Sequence, residues 1–250
     1  MTAALEARGL VKQFGALLAT DSVSFSIAPG ARQALIGPNG AGKTTLINLL
    51  TGVVRPTEGH VFLEGRDVTG LASSERVRLG LSRTFQINQL FPHLTPAESL
   101  GLAISERSHS GADFWRVAGT RPGIVAEIAE LLVRFGLEAE LDKPTKKLPY
   151  GKQRLLEIAL ALATRPRVLL LDEPAAGVPE EERRDILAAL AALPSDVAIL
   201  LIEHDMDLVF SFATRISVLV AGRLLVEGDP DDIAADERVK AVYLGEDAHG

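Results

Sequence analysis

The sequence contains no cysteine and no long apolar run. The absence of cysteine excludes disulfide bonds and thiolate metal sites. The longest uninterrupted apolar stretches, such as 168–171 and 197–202, have the length of buried strands and are far too short to span a bilayer. Residues 1–9 include Glu6 and Arg8 and contain no apolar stretch of signal-peptide length. We therefore expect a cytoplasmic protein.

Basic residues are fewer than acidic residues. The chain has 26 lysines and arginines against 33 aspartates and glutamates, which gives a net charge of −7. General nucleic-acid binding needs a basic surface. The charge balance therefore argues against nucleic acid as a partner, although it is compatible with one local basic patch.

Short strand and helix patterns alternate in two parts of the chain. Strands are predicted at 5–11, 22–27, 33–36, 60–63, 168–171, 197–202, 215–220 and 223–227. Helices are predicted at 44–51, at 180–193, at 206–213 and in a short segment capped by Ser73 or Ser74. From about residue 87 to residue 164 the spacing of apolar residues is mostly helical. This order predicts an α/β fold whose parallel strands are covered by helices, with a helical insertion between its two halves.

A glycine-rich loop lies between a short buried strand and a helix. It fits the pattern G-x-x-x-x-G-K-[ST] and comprises Gly37, Pro38, Asn39, Gly40, Ala41, Gly42, Lys43, Thr44 and Thr45. Its N–H groups and the positive end of the following helix suit phosphate groups. Lys43 is expected to contact the β- and γ-phosphates, and the Thr44 hydroxyl to bind Mg²⁺. The alternative reading is a tight glycine turn with a solvated lysine.

Polar residues end two further apolar strands. Asp172 and Glu173 follow the strand at 168–171. Asp172 can hold Mg²⁺ through water, and Glu173 can orient or deprotonate an attacking water. His204, near the end of the strand at 197–202, can donate to a γ-phosphate, although a lone histidine is usually structural or solvated. Together with the glycine loop, these residues predict an ATP-hydrolysing site.

These motifs, in this order, resemble the ATP-binding subunits of ABC transporters, and the resemblance covers nearly the whole chain. Phe14 stands where that family places an aromatic that stacks on adenine; alone it would be read as a core residue. Gln86 matches the glutamine that reaches Mg²⁺ and the attacking water, and His204 matches the switch histidine. Residues 148–154, Leu-Pro-Tyr-Gly-Lys-Gln-Arg, match the family signature written LSGGQ followed by Gln-Arg.

The signature segment implies a site shared between two subunits. In this family two nucleotide-binding domains pack head to tail, and each ATP lies between one phosphate loop and the partner's signature. In this chain that signature consists of Pro149, Tyr150, Gly151 and Lys152. Gly151 is expected to leave its backbone amide open at the start of a helix over 152–163. Lys152 replaces a glutamine, and it either restores a positive contact or is solvated.

Two departures from the family pattern stand out. Pro149 replaces the signature serine, so that the hydroxyl contact to the γ-phosphate is lost. After Pro174 the family commonly has Ser-Ala-Leu-Asp, whereas this chain has Ala-Ala-Gly-Val at 175–178. The aspartate that couples the two sites is therefore absent.

Several short segments resemble the branched-chain amino acid importer subfamily, in particular the larger of its two ATPase subunits. They are Arg-Thr-Phe-Gln at 83–86, Leu-Pro-Tyr-Gly at 148–151, Pro-Ala-Ala-Gly at 174–177 and Val-Tyr-Leu-Gly-Glu at 242–246. The last of these also occurs in the lipopolysaccharide-export ATPase. A non-transport ABC ATPase, a nucleotide sensor without catalysis, and importers of urea, amides or other amino acids are the further alternatives.

The resemblance also implies an architecture and partners. The implied ABC ATPase fold has a RecA-like P-loop NTPase core, an antiparallel β subdomain and an inserted helical subdomain. On this basis residues 1–86 and 165–228 form the nucleotide-binding core, 87–164 the helical signature subdomain and 229–250 a C-terminal tail. The implied partners are a second ATP-binding subunit, identical or related, transmembrane permease subunits that contact residues 87–94, and indirectly a periplasmic or extracellular binding protein. The chain would then lie on the inner face of the cell membrane.

Overall fold

The computed structural model describes residues 2–84, 90–108 and 122–246. Two sequence predictions fall outside these ranges. One is that Gln86 contacts Mg²⁺ and the attacking water. The other is that segment 87–94, whose first part lies outside the described residues, contacts a membrane subunit.

The strands and helices follow the predicted alternation. The strands are β1 (Leu5–Phe14), β2 (Leu17–Ile27), β3 (Arg32–Ile36), β4 (Glu58–Leu63), β5 (Arg66–Asp67), β6 (Leu81–Arg83), β7 (Val168–Asp172), β8 (Ala198–Ile202), β9 (Arg215–Val220) and β10 (Arg223–Gly228). The helices are α1 (Lys43–Thr51), α2 (Ser73–Arg78), α3 (Pro96–Arg107), α4 (Pro122–Arg134), α5 (Tyr150–Ala163), α6 (Glu180–Ala191), α7 (Met206–Phe212), α8 (Pro230–Ala235) and α9 (Glu237–Glu246).

The chain divides into two compact units. The first comprises Met1–Leu81, Arg167–Glu173 and Ser195–Gly250, and the second comprises Ser82–Pro166 and Pro174–Pro194. Helix α6 therefore belongs to the second unit, whereas the division made from the sequence counted it with the nucleotide-binding core. The reason is that α6 lies against α5, as described for the site below.

An antiparallel sheet in the first unit has the order β2-β1-β4-β5. In β2 the side chains of Val23, Phe25 and Ile27 are buried, and the serines between them are exposed. This alternation matches the half-buried pattern that predicted the strand. One face of the sheet therefore covers the core, and the other faces solvent.

A second sheet has the order β10-β9-β3-β8-β7-β6. Strand β3 pairs in parallel with both β8 and β9, and β7 pairs in parallel with β8. Every residue of β7 and β8 is buried, as expected for parallel strands covered on both faces. The prediction of buried parallel strands is confirmed.

The C-terminal segment packs against the first unit. Ile233 of α8 and Val239 of α9 are buried in a core cluster that also contains Ile36 of β3 and Val209 of α7. The sequence left open whether this tail docks on the domain or reaches a partner. Its apolar residues dock on the domain.

The predicted serine cap of α2 is wrong. The helix begins at Ser73, and the capping position is Ala72, which has no side-chain acceptor. The carboxylate of Glu75 instead accepts a hydrogen bond of 2.8 Å from the Ala72 N–H. An acid in the first turn can accept from the N–H of the capping residue, which is one of the two hydrogen bonds of a capping box.

In the second unit, one carboxylate ties three helices together. Glu127 of α4 accepts two hydrogen bonds, of 2.6 and 2.8 Å, from Arg107 of α3, and it also pairs with Arg165 just after α5. Arg107 donates in addition to the Ala163 carbonyl oxygen at the end of α5. The hydrogen bond from Arg107 is the main reason that the pKa of Glu127 is lowered.

Candidate active site

Three parallel strands end at one edge of the second sheet. The phosphate loop begins at Gly37 directly after β3, Asp172 ends β7, and His204 lies just beyond β8. In the register of β7 and β8, Asp172 lies opposite Ile202. Because the carboxyl ends of parallel strands meet at the same edge, the loop, the acids and the histidine all lie along that edge, where α/β proteins bind ligands.

Two glycines of the phosphate loop have no room for a side chain. Gly37 has φ +151°, and a Cβ there would collide with the Leu219 carbonyl oxygen. Gly42 has φ +100°, and a Cβ there would collide with the Ala19 carbonyl oxygen. The backbone of the loop is therefore held against β9 and β2, so that only glycine fits at these two positions.

Lys43 lies at the start of α1 and bends back over the loop. Its Nζ donates a hydrogen bond of 3.0 Å to the Pro38 carbonyl oxygen and a second one to the Gly37 carbonyl oxygen. The ammonium group is thus held half-buried at the N-terminal end of a helix. This placement argues against a solvated lysine in a simple turn and gives the loop a cation suited to phosphate.

The other residues of the loop differ in exposure. Asn39, Gly40 and Thr44 are exposed, Pro38 and Thr45 are half-buried, and Ala41 is buried. Thr44, the residue predicted to bind Mg²⁺, is therefore at the surface. Among the residues that the structure describes, no group of three or more His, Cys, Asp or Glu could hold a metal ion.

Glu173 has an unusual backbone. Its φ is +47°, and its N–H donates a hydrogen bond of 2.8 Å to the Ile202 carbonyl oxygen at the end of β8. A left-handed conformation costs a residue other than glycine about 1–3 kcal/mol, and such residues cluster at active sites. Asp172, one residue earlier, is buried, whereas the Glu173 carboxylate is partly exposed. The turn therefore directs Glu173 out of the strand that buries Asp172.

His204 stands beside two carboxylates. Its Nδ1 lies 3.9 Å from Glu173 Oε1 and 3.8 Å from Glu203 Oε2, while most of the imidazole is exposed. Glu203 is only 1% exposed, and it accepts hydrogen bonds from the N–H groups of His204 and Asp205. Glu203 thus fixes the turn that carries His204. The sequence suggested no role for Glu203, although a buried acid directly after an apolar strand is an unusual feature.

Phe14 is a surface residue. It is 47% exposed at the end of β1, and the Lys12 Nζ lies 4.9 Å from the centroid of its ring. Its reading as a core residue is therefore excluded. A half-exposed aromatic ring beside a cation suits stacking by a flat base.

The helix that begins in the signature segment starts two residues earlier than predicted. Helix α5 starts at Tyr150, after Pro149, and not at Lys152. Gly151 therefore lies in the first turn, and its N–H donates a hydrogen bond of 2.7 Å to Glu182 Oε2 in α6. The expectation of an open amide at Gly151 is wrong, because a carboxylate of the same chain occupies it.

The side chains on either side of Gly151 also have partners. The Lys152 Nζ donates to the Gly136 carbonyl oxygen at 3.1 Å and lies 3.4 Å from Asp185 Oδ2. It is therefore not simply solvated, because two groups of the same chain already accept its hydrogen bonds. The Tyr150 hydroxyl accepts a hydrogen bond of 2.7 Å from Arg154, and a Cβ added to Gly177 would lie 3.4 Å from the Tyr150 ring.

Helix α5 contains a buried ion pair between Arg154, the last residue of the signature segment, and Glu157. Arg154, which is 3% exposed, donates at 2.7 Å to Glu157 one turn later on α5. Burial raises the pKa of the Glu157 carboxyl, and the hydrogen bond from Arg154 opposes that rise. The sequence placed Arg154 in the signature but predicted no partner for it.

The family model described as ABC transporter matches residues 20–176, which include the phosphate loop, the signature helix, Asp172 and Glu173. The chain belongs to the ABC transporter family. A second model, described as branched-chain amino acid ATP-binding cassette transporter, matches residues 223–249. These matches confirm the family resemblance that the sequence motifs indicated.

Relatives of this ABC ATPase cover almost its whole length. It is 39% identical, over 97% of this chain and 98% of the relative, to the high-affinity branched-chain amino acid transport ATP-binding protein BraF of Pseudomonas aeruginosa. It is 38% identical, over 97% of this chain and 98% of the relative, to LivG of Escherichia coli K12, which has the same description. A solved ATP-binding cassette of an ABC transporter in its ADP conformation matches with a TM-score of 0.84 and 30% identity, over 98% of this chain and all of that one. The predicted ABC ATPase fold is confirmed.

The described part of this ABC ATPase contains no helix with the length and apolarity needed to cross a membrane.

Proposed function

We propose that this ABC ATPase drives an importer for branched-chain or closely related amino acids. The observation that carries the proposal is the likeness to branched-chain amino acid transport ATP-binding proteins over 97% of the chain, at 38–39% identity. The separate match of residues 223–249 to a branched-chain amino acid cassette model supports the same substrate class.

The phosphate loop would hold the triphosphate. Lys43 would exchange its contacts with the loop carbonyl oxygens for the β- and γ-phosphates, and backbone N–H groups of the loop would donate to the same phosphates. Mg²⁺ takes oxygen ligands and usually keeps several waters, so few protein ligands are needed. The Thr44 hydroxyl would bind it directly and Asp172 through water, while Phe14 would stack on the adenine. The ion would neutralise charge on the phosphates.

The acids and the histidine would carry the hydrolytic step. Glu173 would orient or deprotonate the attacking water, since its carboxylate is the partly exposed acid at the edge of the sheet. His204 would donate to the γ-phosphate from the turn that the buried Glu203 fixes. The 3.9 Å separation of Glu173 and His204 allows both to act on one phosphate.

The remaining contacts would come from other chains. A second ATP-binding subunit, identical or related, would present its signature segment around Gly151 to the γ-phosphate. Transmembrane permease subunits would receive the movement of closure, and their contact with this chain would hold it on the inner face of the membrane. A periplasmic or extracellular binding protein would deliver the amino acid to those permeases.

Amino-acid uptake by cells that lack this gene tests the proposal. We expect the loss of the chain to reduce uptake of radiolabelled leucine, isoleucine or valine, and the wild-type gene to restore it. Glu173→Gln should not restore uptake, because the purified variant should bind ATP but release no phosphate. The exposed Glu58→Gln should restore it and serves as the matched control.

Two results would contradict the proposal. Undiminished uptake of all three amino acids in the deletion strain would reject the substrate class. Phosphate release by Glu173→Gln at the wild-type rate would reject the catalytic assignment, whatever the substrate is.

A further inference from the structure

One carboxylate serves the N-terminal ends of two helices in the second unit. Glu182 lies in the first turn of α6, and its Oε2 accepts the hydrogen bond from Gly151 in the first turn of α5. The residues that precede these helices, Pro149 and Pro179, have no side-chain acceptor and make no side-chain capping hydrogen bond. Glu182 therefore supplies the anion that both positive helix ends attract.

The contact between the two helices is close and has further supports. A Cβ on Gly151 would collide with the Glu182 carboxylate and would lie 3.0 Å from its Cβ. One helical turn further along α6, Asp185 lies 3.4 Å from Lys152. The Tyr150 ring packs beside Gly177 in the segment that leads into α6. The position of Glu182 is thus built into the packing of α5 on α6.

We infer that Glu182 is an internal competitor for the γ-phosphate at the Gly151 amide. This inference rests on the proposed shared site, in which Gly151 meets the nucleotide held by a second subunit. A carboxylate and a phosphate oxygen both accept from the same N–H group, and one N–H group cannot serve two anions at full strength. Arrival of the γ-phosphate therefore requires Glu182 to withdraw, and ADP, which lacks that phosphate, leaves the internal contact intact.

The competition sets the ATP concentration at which two subunits close. A charged acceptor binds an N–H group more strongly than a neutral one, by about 0.5–1.5 kcal/mol, which corresponds to roughly two- to tenfold. Glu182→Gln keeps the size of the side chain and removes the charge. The variant should therefore close at a lower ATP concentration than the parent chain.

The experiment measures ATP-dependent dimerisation by sedimentation or light scattering. The background is full-length Glu173→Gln, which should bind ATP without turnover, with the companion ATPase subunit present where the transporter uses one. We expect the added Glu182→Gln to lower the half-maximal ATP concentration by about two- to tenfold. The added Glu181→Gln, on an exposed acid of the same turn, should leave it unchanged.

The outcomes separate this inference from the proposed function. If Glu173→Gln dimerises with ATP but Glu182→Gln needs the same or a higher ATP concentration, Glu182 is only a structural cap and the inference is rejected. If Glu173→Gln does not dimerise with ATP at all, the shared site itself is rejected and the inference falls with it. A lower unfolding temperature of Glu182→Gln together with closure at a lower ATP concentration supports the competitor, because losing a cap that is only structural would raise the ATP concentration needed for closure.

Discussion

At the residue scale, Lys43 combines a fixed position with exchangeable contacts. Its ammonium group is held over the phosphate loop by two carbonyl oxygens of that loop. Hydrogen bonds from a cation to neutral carbonyl oxygens are weaker than those to a phosphate. From this position Lys43 therefore gains free energy when it exchanges the carbonyl oxygens for phosphate oxygens. Nucleotide affinity should therefore depend on Lys43 more than on other lysines.

We expect Lys43→Ala to weaken ATP binding by about 10- to 100-fold, since a hydrogen bond to a charged group contributes about 1.5–3 kcal/mol. Titration with a fluorescent ATP analogue measures the affinity. Lys143→Ala, which removes an exposed lysine paired with Glu140, is the matched control and should bind normally. Equal affinities of the two variants would show that Lys43 does not contact the phosphates.

The catalytic candidates could be found from the sequence because each follows a local pattern. The phosphate loop is contiguous. Asp172 ends an apolar strand, and Glu173 and His204 each follow one. The partners of these residues could not be found in this way. Burial of Glu203 beside His204, and the left-handed backbone of Glu173, depend on how β7 and β8 pair, and pairing brings together residues about thirty positions apart.

At the element scale, the C-terminal end of α1 is closed by a buried arginine. Arg76 of α2 is 1% exposed, and its guanidinium donates at 2.8 and 2.5 Å to the Leu49 and Leu50 carbonyl oxygens at the end of α1. It also donates to the Thr69 and Leu71 carbonyl oxygens. A cation at a helix C-terminus stabilises the helix, and here it holds the helix that begins with Lys43.

We expect Arg76→Met to lower the free energy of unfolding by about 2–4 kcal/mol, because several buried carbonyl oxygens would lose their donor. For a chain of this size the unfolding temperature should then fall by roughly 5–15 °C. Scanning calorimetry measures it. Arg78→Met replaces an exposed arginine of the same helix and should change the temperature little. A similar small effect of both substitutions would disprove the role of Arg76.

Elements could be predicted better than their packing. Strand and helix patterns are local, so most predicted elements appear close to their expected bounds. Packing depends on contacts between distant segments. Helix α6 groups with the helical unit, and its Glu182 accepts the hydrogen bond of the Gly151 N–H from 31 residues away. The sequence resembles a family in which that amide is expected to serve a partner's nucleotide. No local pattern in the sequence indicates that Glu182 of the same chain accepts a hydrogen bond from that amide.

At the scale of the whole molecule, each chain contributes one part to each of two nucleotide sites. The first unit carries the phosphate loop, Glu173 and His204, and the second carries the signature around Gly151. In the proposed assembly a complete site takes its loop from one chain and its signature from another. Catalysis by the isolated chain then depends on an encounter between two chains, and it becomes rarer on dilution.

We expect the rate of phosphate release to rise more steeply than linearly with the concentration of this chain in the dilute range. The reason is that the fraction of paired chains grows with concentration until dimers predominate. Release at saturating ATP is measured over a wide dilution series, and Glu173→Gln, measured in parallel, corrects for contaminating ATPases. A specific activity that stays constant across the whole range in which the chain dimerises would mean that one chain hydrolyses ATP alone. In that case the signature around Gly151 would have another purpose.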